Sequence, residues 1–117
     1  MVSPVSRDAT NTLGSALNVN GDDAAAAIAA ALGAEELLLV SDVAGVLLGD
    51  HPVSALGPED AQRLIDDGTA RGGMAAKVQA ALSALDGGVQ RVRISDIAAI
   101  TDTDRGTVLT RVGSLAV

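Results

Sequence analysis

At 117 residues the chain has the length of one small domain, and its 48% hydrophobic content allows a packed core with no aromatic ring in it. Eight basic residues against 15 acidic ones leave a net charge of -7, which disfavours nucleic acid and an anionic membrane surface, since both call for a basic face. With no cysteine, disulfides, thiolate metal sites and cysteine nucleophiles are excluded as well.

Residues 2–5 form a short apolar piece, and residues 6–14, rich in Asn, Thr and Gly, read as a loop. Leu17-Asn18-Val19-Asn20 alternates apolar and polar in the manner of a strand end. The alanine-rich stretch 22–32, with Ile28 and Leu32 four apart, predicts a helix that Asn20 or Asp22 can cap and Gly33 can end. Leu37-Leu38-Leu39-Val40 is a continuous apolar run and predicts a strand over 36–40, buried on both faces of a parallel sheet. Ser41-Asp42-Val43-Ala44-Gly45 then forms a loop at that strand's carboxyl end. Residues 46–53 predict a small hairpin or irregular turn around Gly49-Asp50-His51-Pro52.

Pro58 begins the next helix at its favoured first position, with Glu59 and Asp60 in the first turn. Ala61, Leu64 and Ile65 form its apolar face, and Gly68 stops it. Residues 69–73 read as a loop. Met74, Val78, Ala81, Leu82 and Leu85 recur at helical spacing and predict an amphipathic helix over 73–86, ended by Asp86-Gly87-Gly88. A strand over 89–94, with Val92 and Ile94 on one face, a turn or loop over 96–105 and a last strand over 106–112 complete the chain. Strands alternating with helices predict a single α/β domain over 1–117, built on a mostly parallel sheet with helices on both faces. Ligands of such sheets lie beyond the carboxyl ends of the strands. No apolar run reaches about 18 residues, so no membrane span is expected. No charged region followed by an apolar stretch marks a secretory signal, and the cytoplasm is the default location.

Lys77 is the only lysine; the other basic residues are all arginine. It stands about one turn inside the helix that Gly72-Gly73-Met74 opens. Helical side chains lean toward the amino terminus, so its ammonium can reach back over free backbone N–H groups and the positive dipole end. A compact cation there suits a transferring phosphoryl group; an ordinary solvated lysine beside a glycine loop gives the same spacing. In Asn18-Val19-Asn20-Gly21-Asp22, the two asparagines share one face and can hold a carboxylate or amide, while Asp22 can serve as counter-ion to a lysine. Plain helix capping accounts for the same residues. The loop after the leucine-rich strand can read a nucleoside edge through its main chain, or it is a simple turn. His51 reads as a solvated loop histidine. Asp66-Asp67 reads as a helix end, and Asp102 and Asp104 as a polar loop rather than metal ligands.

Taken in order, Leu17-Asn18-Val19-Asn20-Gly21-Asp22, the alanine-rich helix ending Leu32-Gly33-Ala34, Leu38-Leu39-Val40-Ser41-Asp42-Val43-Ala44-Gly45-Val46-Leu47 and Gly73-Met74-Ala75-Ala76-Lys77-Val78 resemble acetylglutamate kinase, of the amino-acid kinase superfamily. The resemblance covers the carboxyl-terminal, nucleotide-binding half of that family. The amino-terminal half, with its glycine-rich strand, second lysine, Gly-Gly substrate loop and substrate arginine, has no counterpart in this sequence. The resemblance implies catalytic roles for Lys77 and Asp22, and substrate contacts from Asn18 and Asn20. It implies nucleotide contacts from Ser41, Asp42, Val43, Ala44, Gly45, Val46 and Leu47, and from Thr69, Ala70, Arg71, Gly73 and Met74. It also implies ATP, with Mg2+ held mainly through the phosphates, and phosphorylation of N-acetylglutamate. Gly21, where many members carry alanine, points mildly toward the related kinase acting on carrier-protein-bound aminoadipate. The alternative is a non-catalytic nucleotide- or partner-binding relic of the kinase. Half a sheet should leave an edge or an apolar face exposed, so self-association, or pairing with the missing half, is expected.

Overall fold

The computed structural model describes residues 21–116. Three α-helices, α1 (Gly21–Leu32), α2 (Pro58–Asp66) and α3 (Gly72–Asp86), accompany six strands: β1 (Glu36–Val40), β2 (Leu47–Leu48), β3 (His51–Pro52), β4 (Ala55–Leu56), β5 (Arg91–Ser95) and β6 (Thr107–Thr110). The main sheet has the order β1-β5-β6-β4. β1 runs parallel to β5 and β4 parallel to β6, while β5 and β6 are antiparallel. β2 and β3 form a separate antiparallel hairpin, as the glycine-centred turn predicts.

The core lies between the helices and one face of the sheet. Strand alternation points Leu39, Val92, Ile94 and Leu109 to that face, where they pack with Ala61, Leu64, Val78, Ala81 and Leu85. Complete burial of a side chain such as Ile94 contributes about 1.5–3 kcal/mol. α1 packs on α3, and α3 on α2. Alanine makes the first contact close: Ala26 and Ala29 of α1 are buried, as are Ala80, Ala81 and Ala84 of α3. At the end of α3, a Cβ on Gly87 would come within 2.8 Å of the Ala30 Cβ. Ile28 and Leu32, whose spacing announces α1, lie instead on its outer side, 59% and 78% exposed.

Two strands differ from the sequence expectation. β1 is not buried on both faces: Leu39 alone is fully covered, while Glu36 and Val40 are exposed. The reason is topological, because β1 is an edge of the sheet among the described residues. The second finding is β4, a two-residue strand that sequence periodicity does not show. It exists because β6 and Ala116 supply hydrogen-bonding partners.

Among the described residues the α-helices lie on one face of the sheet, where helices on both faces are expected; the opposite face carries Arg93 and a 3-10 turn (Ile97–Ile100) inside the expected 96–105 loop. Direction matters more for function. β1 and β5 are parallel, and each follows a helix packed on it. α1 and α3 therefore run the same way, and both open at the carboxyl end of the sheet.

Candidate functional site

α3 begins where Arg71 is extended (φ -136, ψ 160) and Gly72 takes φ +56, a left-handed conformation that favours glycine. No side chain caps this end. The Met74 and Ala75 amides both donate to the Arg71 carbonyl, at 3.1 and 3.3 Å. With those two amides engaged, the amides of the first helical residues, Gly72 and Gly73, have no acceptor within the helix and stand at the positive end of a 15-residue helix. Lys77 leans back over it, and its Nζ donates to Asp22 Oδ2 at 2.9 Å. Both side chains are largely covered, 18% and 21% exposed. Asp22 is the second residue of α1, where the helix dipole favours its negative charge. The two helix openings that carry the motifs, 55 residues apart in sequence, meet through one charge-assisted hydrogen bond. The carboxylate fixes an otherwise flexible ammonium at the mouth of an anion-attracting helix.

Next to this pair lies a cleft of about 210 Å³. Val43, Gly45, Val46 and Leu47 form one wall; Thr69, Ala70, Arg71 and Met74 form the other. All eight belong to the set the resemblance assigns to nucleotide contact. Ser41, Asp42, Ala44 and Gly73 flank the cleft without lining it. Asn18 and Asn20 lie outside the described residues. The cleft walls are mostly apolar, from Val43, Val46, Leu47, Ala70 and Met74, with Thr69 and Arg71 as the polar side chains, and no aromatic ring is available to stack on a base. Its second wall is held locally: the Ala70 amide donates to Leu64 O at 2.9 Å and the Thr69 amide to Asp67 Oδ1 at 2.8 Å. Hydrogen bonding from Thr69 also holds the Asp67 carboxyl below its ordinary range. Met74 reaches the cleft three residues before Lys77, about 4.5 Å of helical rise. The cleft and the ammonium therefore share one end of α3.

Residues 2–96 match the model of the amino acid kinase family. The chain belongs to that family. It is 58% identical over 74 residues to acetylglutamate kinase of Rubrobacter xylanophilus, a stretch covering 63% of this chain and 29% of that protein. It is 45% identical over 98 residues to acetylglutamate kinase of Roseiflexus castenholzii, covering 84% of this chain and 37% of that one. Among solved structures, N-acetylglutamate synthase of Neisseria gonorrhoeae, complexed with coenzyme A and N-acetyl-glutamate, superposes with a TM-score of 0.72 at 28% identity, covering 80% of this chain and 24% of that one. This family member thus spans about a third of the length of the curated relatives it matches.

Sequence reasoning did not single out Arg93, which is only 8% exposed. Its Nη1 donates to the carbonyls of Ala99, Asp102 and Arg105, and its Nε to Glu36 Oε2. The signal was available: a charge between Val92 and Ile94 in a strand must face away from the apolar side, where loop 96–105 folds back. Arg105 closes that loop with two bonds to Asp96, at 2.5 and 2.6 Å, which hold the Asp96 carboxyl below its usual value. Asp102 accepts the Asp104 amide within the same loop, and His51 is exposed on the β2–β3 hairpin. Ser95 and Thr107 also escaped notice, although both are fully buried behind the first wall of the cleft. No helix among the described residues is long and apolar enough to cross a membrane.

Proposed function

We propose that this chain is the nucleotide-binding part of an acetylglutamate kinase-like phosphotransferase. The observation that carries the reading is the Lys77–Asp22 contact at the openings of α1 and α3, beside a cleft walled by eight of the residues expected to touch the nucleotide. ATP would lay its nucleoside part in the cleft and its phosphates across the opening of α3 toward Lys77. A carboxylate oxygen of N-acetyl-L-glutamate attacks the γ-phosphorus, the bond to the β–γ bridging oxygen breaks, and ADP leaves with that electron pair. Such transfer needs positioning and charge neutralisation more than covalent help. Lys77 supplies a cation for the equatorial oxygens, and Asp22 keeps it aimed. Among the described residues no three His, Cys, Asp or Glu side chains gather to hold a metal. Mg2+ would be carried by the phosphates, where it neutralises charge. Asn18 and Asn20 are proposed to hold the acyl substrate. The reading places the reaction in arginine biosynthesis, in the cytoplasm; the carrier-protein-linked aminoadipate reaction of lysine biosynthesis uses the same chemistry on another acyl group.

The cleft volume is below the roughly 300–1,000 Å³ of complete ligand sites. Lys77 is also the only lysine of the chain, whereas the kinases it resembles use a second one. Both observations favour a partial site, active only when the rest of the kinase is paired with it; alone, the chain would be a nucleotide-binding module. Calorimetric titration with Mg-ATP, run beside hydroxylamine trapping of acyl phosphate, tests this. ATP binding with little or no trapped product is expected from the chain alone. Absence of any Mg-ATP binding would overturn the proposal.

A further inference from the structure

The first wall of the cleft is a loop, and a loop of this kind keeps its shape only if its backbone is tied down. Four ties hold residues 41–46. The Ser41 amide donates to the Ser95 carbonyl at 2.7 Å. The Ser95 hydroxyl donates to Ala44 O at 3.2 Å. The Val46 amide donates to Thr107 Oγ1 at 2.9 Å. The Val46 carbonyl accepts from the Val53 amide at 2.8 Å. Thr107 completes the set by donating to Val53 O at 2.5 Å, so its hydroxyl is used as acceptor and donor at once.

Ser95 and Thr107 are neighbours on the antiparallel β5–β6 pair, where Ile94 opposes Thr107. Both are fully buried, and neither lines the cleft. Glycine permits the close fit on both sides. A Cβ on Gly45 would come within 2.8 Å of Thr107 Oγ1. A Cβ on Gly106 would come within 2.5 Å of the Ser95 Cβ, and Gly106 also has φ +102. Buried hydroxyls are costly unless satisfied, and here each makes a hydrogen bond to the loop that forms the first wall, Ser95 by donating to Ala44 O and Thr107 by accepting from the Val46 amide.

We propose that Thr107, supported by Ser95, is a positioning residue: it sets the distance between the 43–47 wall and the opening of α3, and so the affinity for the nucleoside part of the nucleotide. The proposal rests on the nucleotide reading above. The test uses the full chain and two probes, Mg-ATP and Mg-tripolyphosphate, the second carrying phosphates but no nucleoside. Thr107→Val keeps the shape and removes the hydroxyl; Thr107→Ser keeps the hydroxyl. Thr107→Val is expected to weaken Mg-ATP binding roughly tenfold, because a wall released from Thr107 occupies its binding-competent position only about a tenth of the time. Mg-tripolyphosphate binding should change less than about twofold, and Thr107→Ser should restore Mg-ATP affinity to within about threefold. A purely structural role would move both probes together or neither. If Thr107→Val does not fold, Ser95→Ala replaces it, with a smaller loss of the same selectivity and faster amide exchange over 41–46. Equal losses for both probes, or an unchanged Mg-ATP affinity in a folded variant, would overturn the positioning role alone. A wild-type chain that binds no Mg-ATP would overturn the nucleotide reading and this proposal with it.

Discussion

Replacing Lys77 by alanine separates its role toward the ligand from its role in the fold. In the fold it makes one ion pair, 2.9 Å long, between side chains 18% and 21% exposed. Pairs that keep some access to solvent contribute about 0.2–1 kcal/mol. That corresponds to a fall in melting temperature of a few degrees, at about 4–8 °C per kcal/mol for a domain of this size. Toward a bound nucleotide, the loss is a charge-assisted hydrogen bond to phosphate, about 1.5–3 kcal/mol, or roughly 10- to 150-fold in Kd. Isothermal titration of the wild type and Lys77→Ala, with calorimetric melting alongside, measures both quantities. Equal Mg-ATP affinity in the two proteins, or a large fall in melting temperature with no change in Kd, would refute the reasoning.

Ile94 is fully buried and Ile28 is 59% exposed, so the same truncation should have very different costs. Ile94→Ala should lower unfolding stability by about 2–5 kcal/mol and Ile28→Ala by well under 1 kcal/mol, as measured by urea denaturation; comparable losses would contradict the side of α1 that faces the core. Asp96 titrates below its ordinary value of 3.8 because Arg105 hydrogen-bonds its charged form. A depressed folded value means that this stabilisation is complete above about pH 3.8 and is lost as the pH falls through the folded value. The stability gap between wild type and Asp96→Asn should therefore be constant from neutral pH to about pH 5 and close at lower pH; a gap that widens on acidification would show that the pair is not formed.

Much of the fold could be read from local pattern. Proline at the start of α2, glycines around the β2–β3 turn and helical spacing in α3 each act over a few residues, and each element appears where its pattern stands. The residues that line the cleft were expected on another ground, the resemblance of Ser41 to Leu47, Thr69 to Arg71, Gly73 and Met74 to a family's nucleotide contacts, and not from any local pattern. β4 was not legible, because two residues cannot show an alternation. The burial of β1 was overestimated, since an apolar run does not say whether a strand is central or at an edge. Thr107 and Ser95 look like ordinary strand residues until their distant partners, Val46 and Ala44, are known.

By itself the order of residues determined the helices, the turns and the chemical character of the two motif-bearing helix openings, because capping, backbone freedom and side-chain period are properties of short segments. Only the tertiary structure decided that Lys77 touches Asp22, that the 43–47 loop faces the start of α3, and that buried hydroxyls on β5 and β6 hold that loop. Those contacts join residues 55, about 26 and 61 positions apart. Strand pairing and helix packing choose among such long-range partners, because each buried polar group must find its mate wherever the chain brings one within reach.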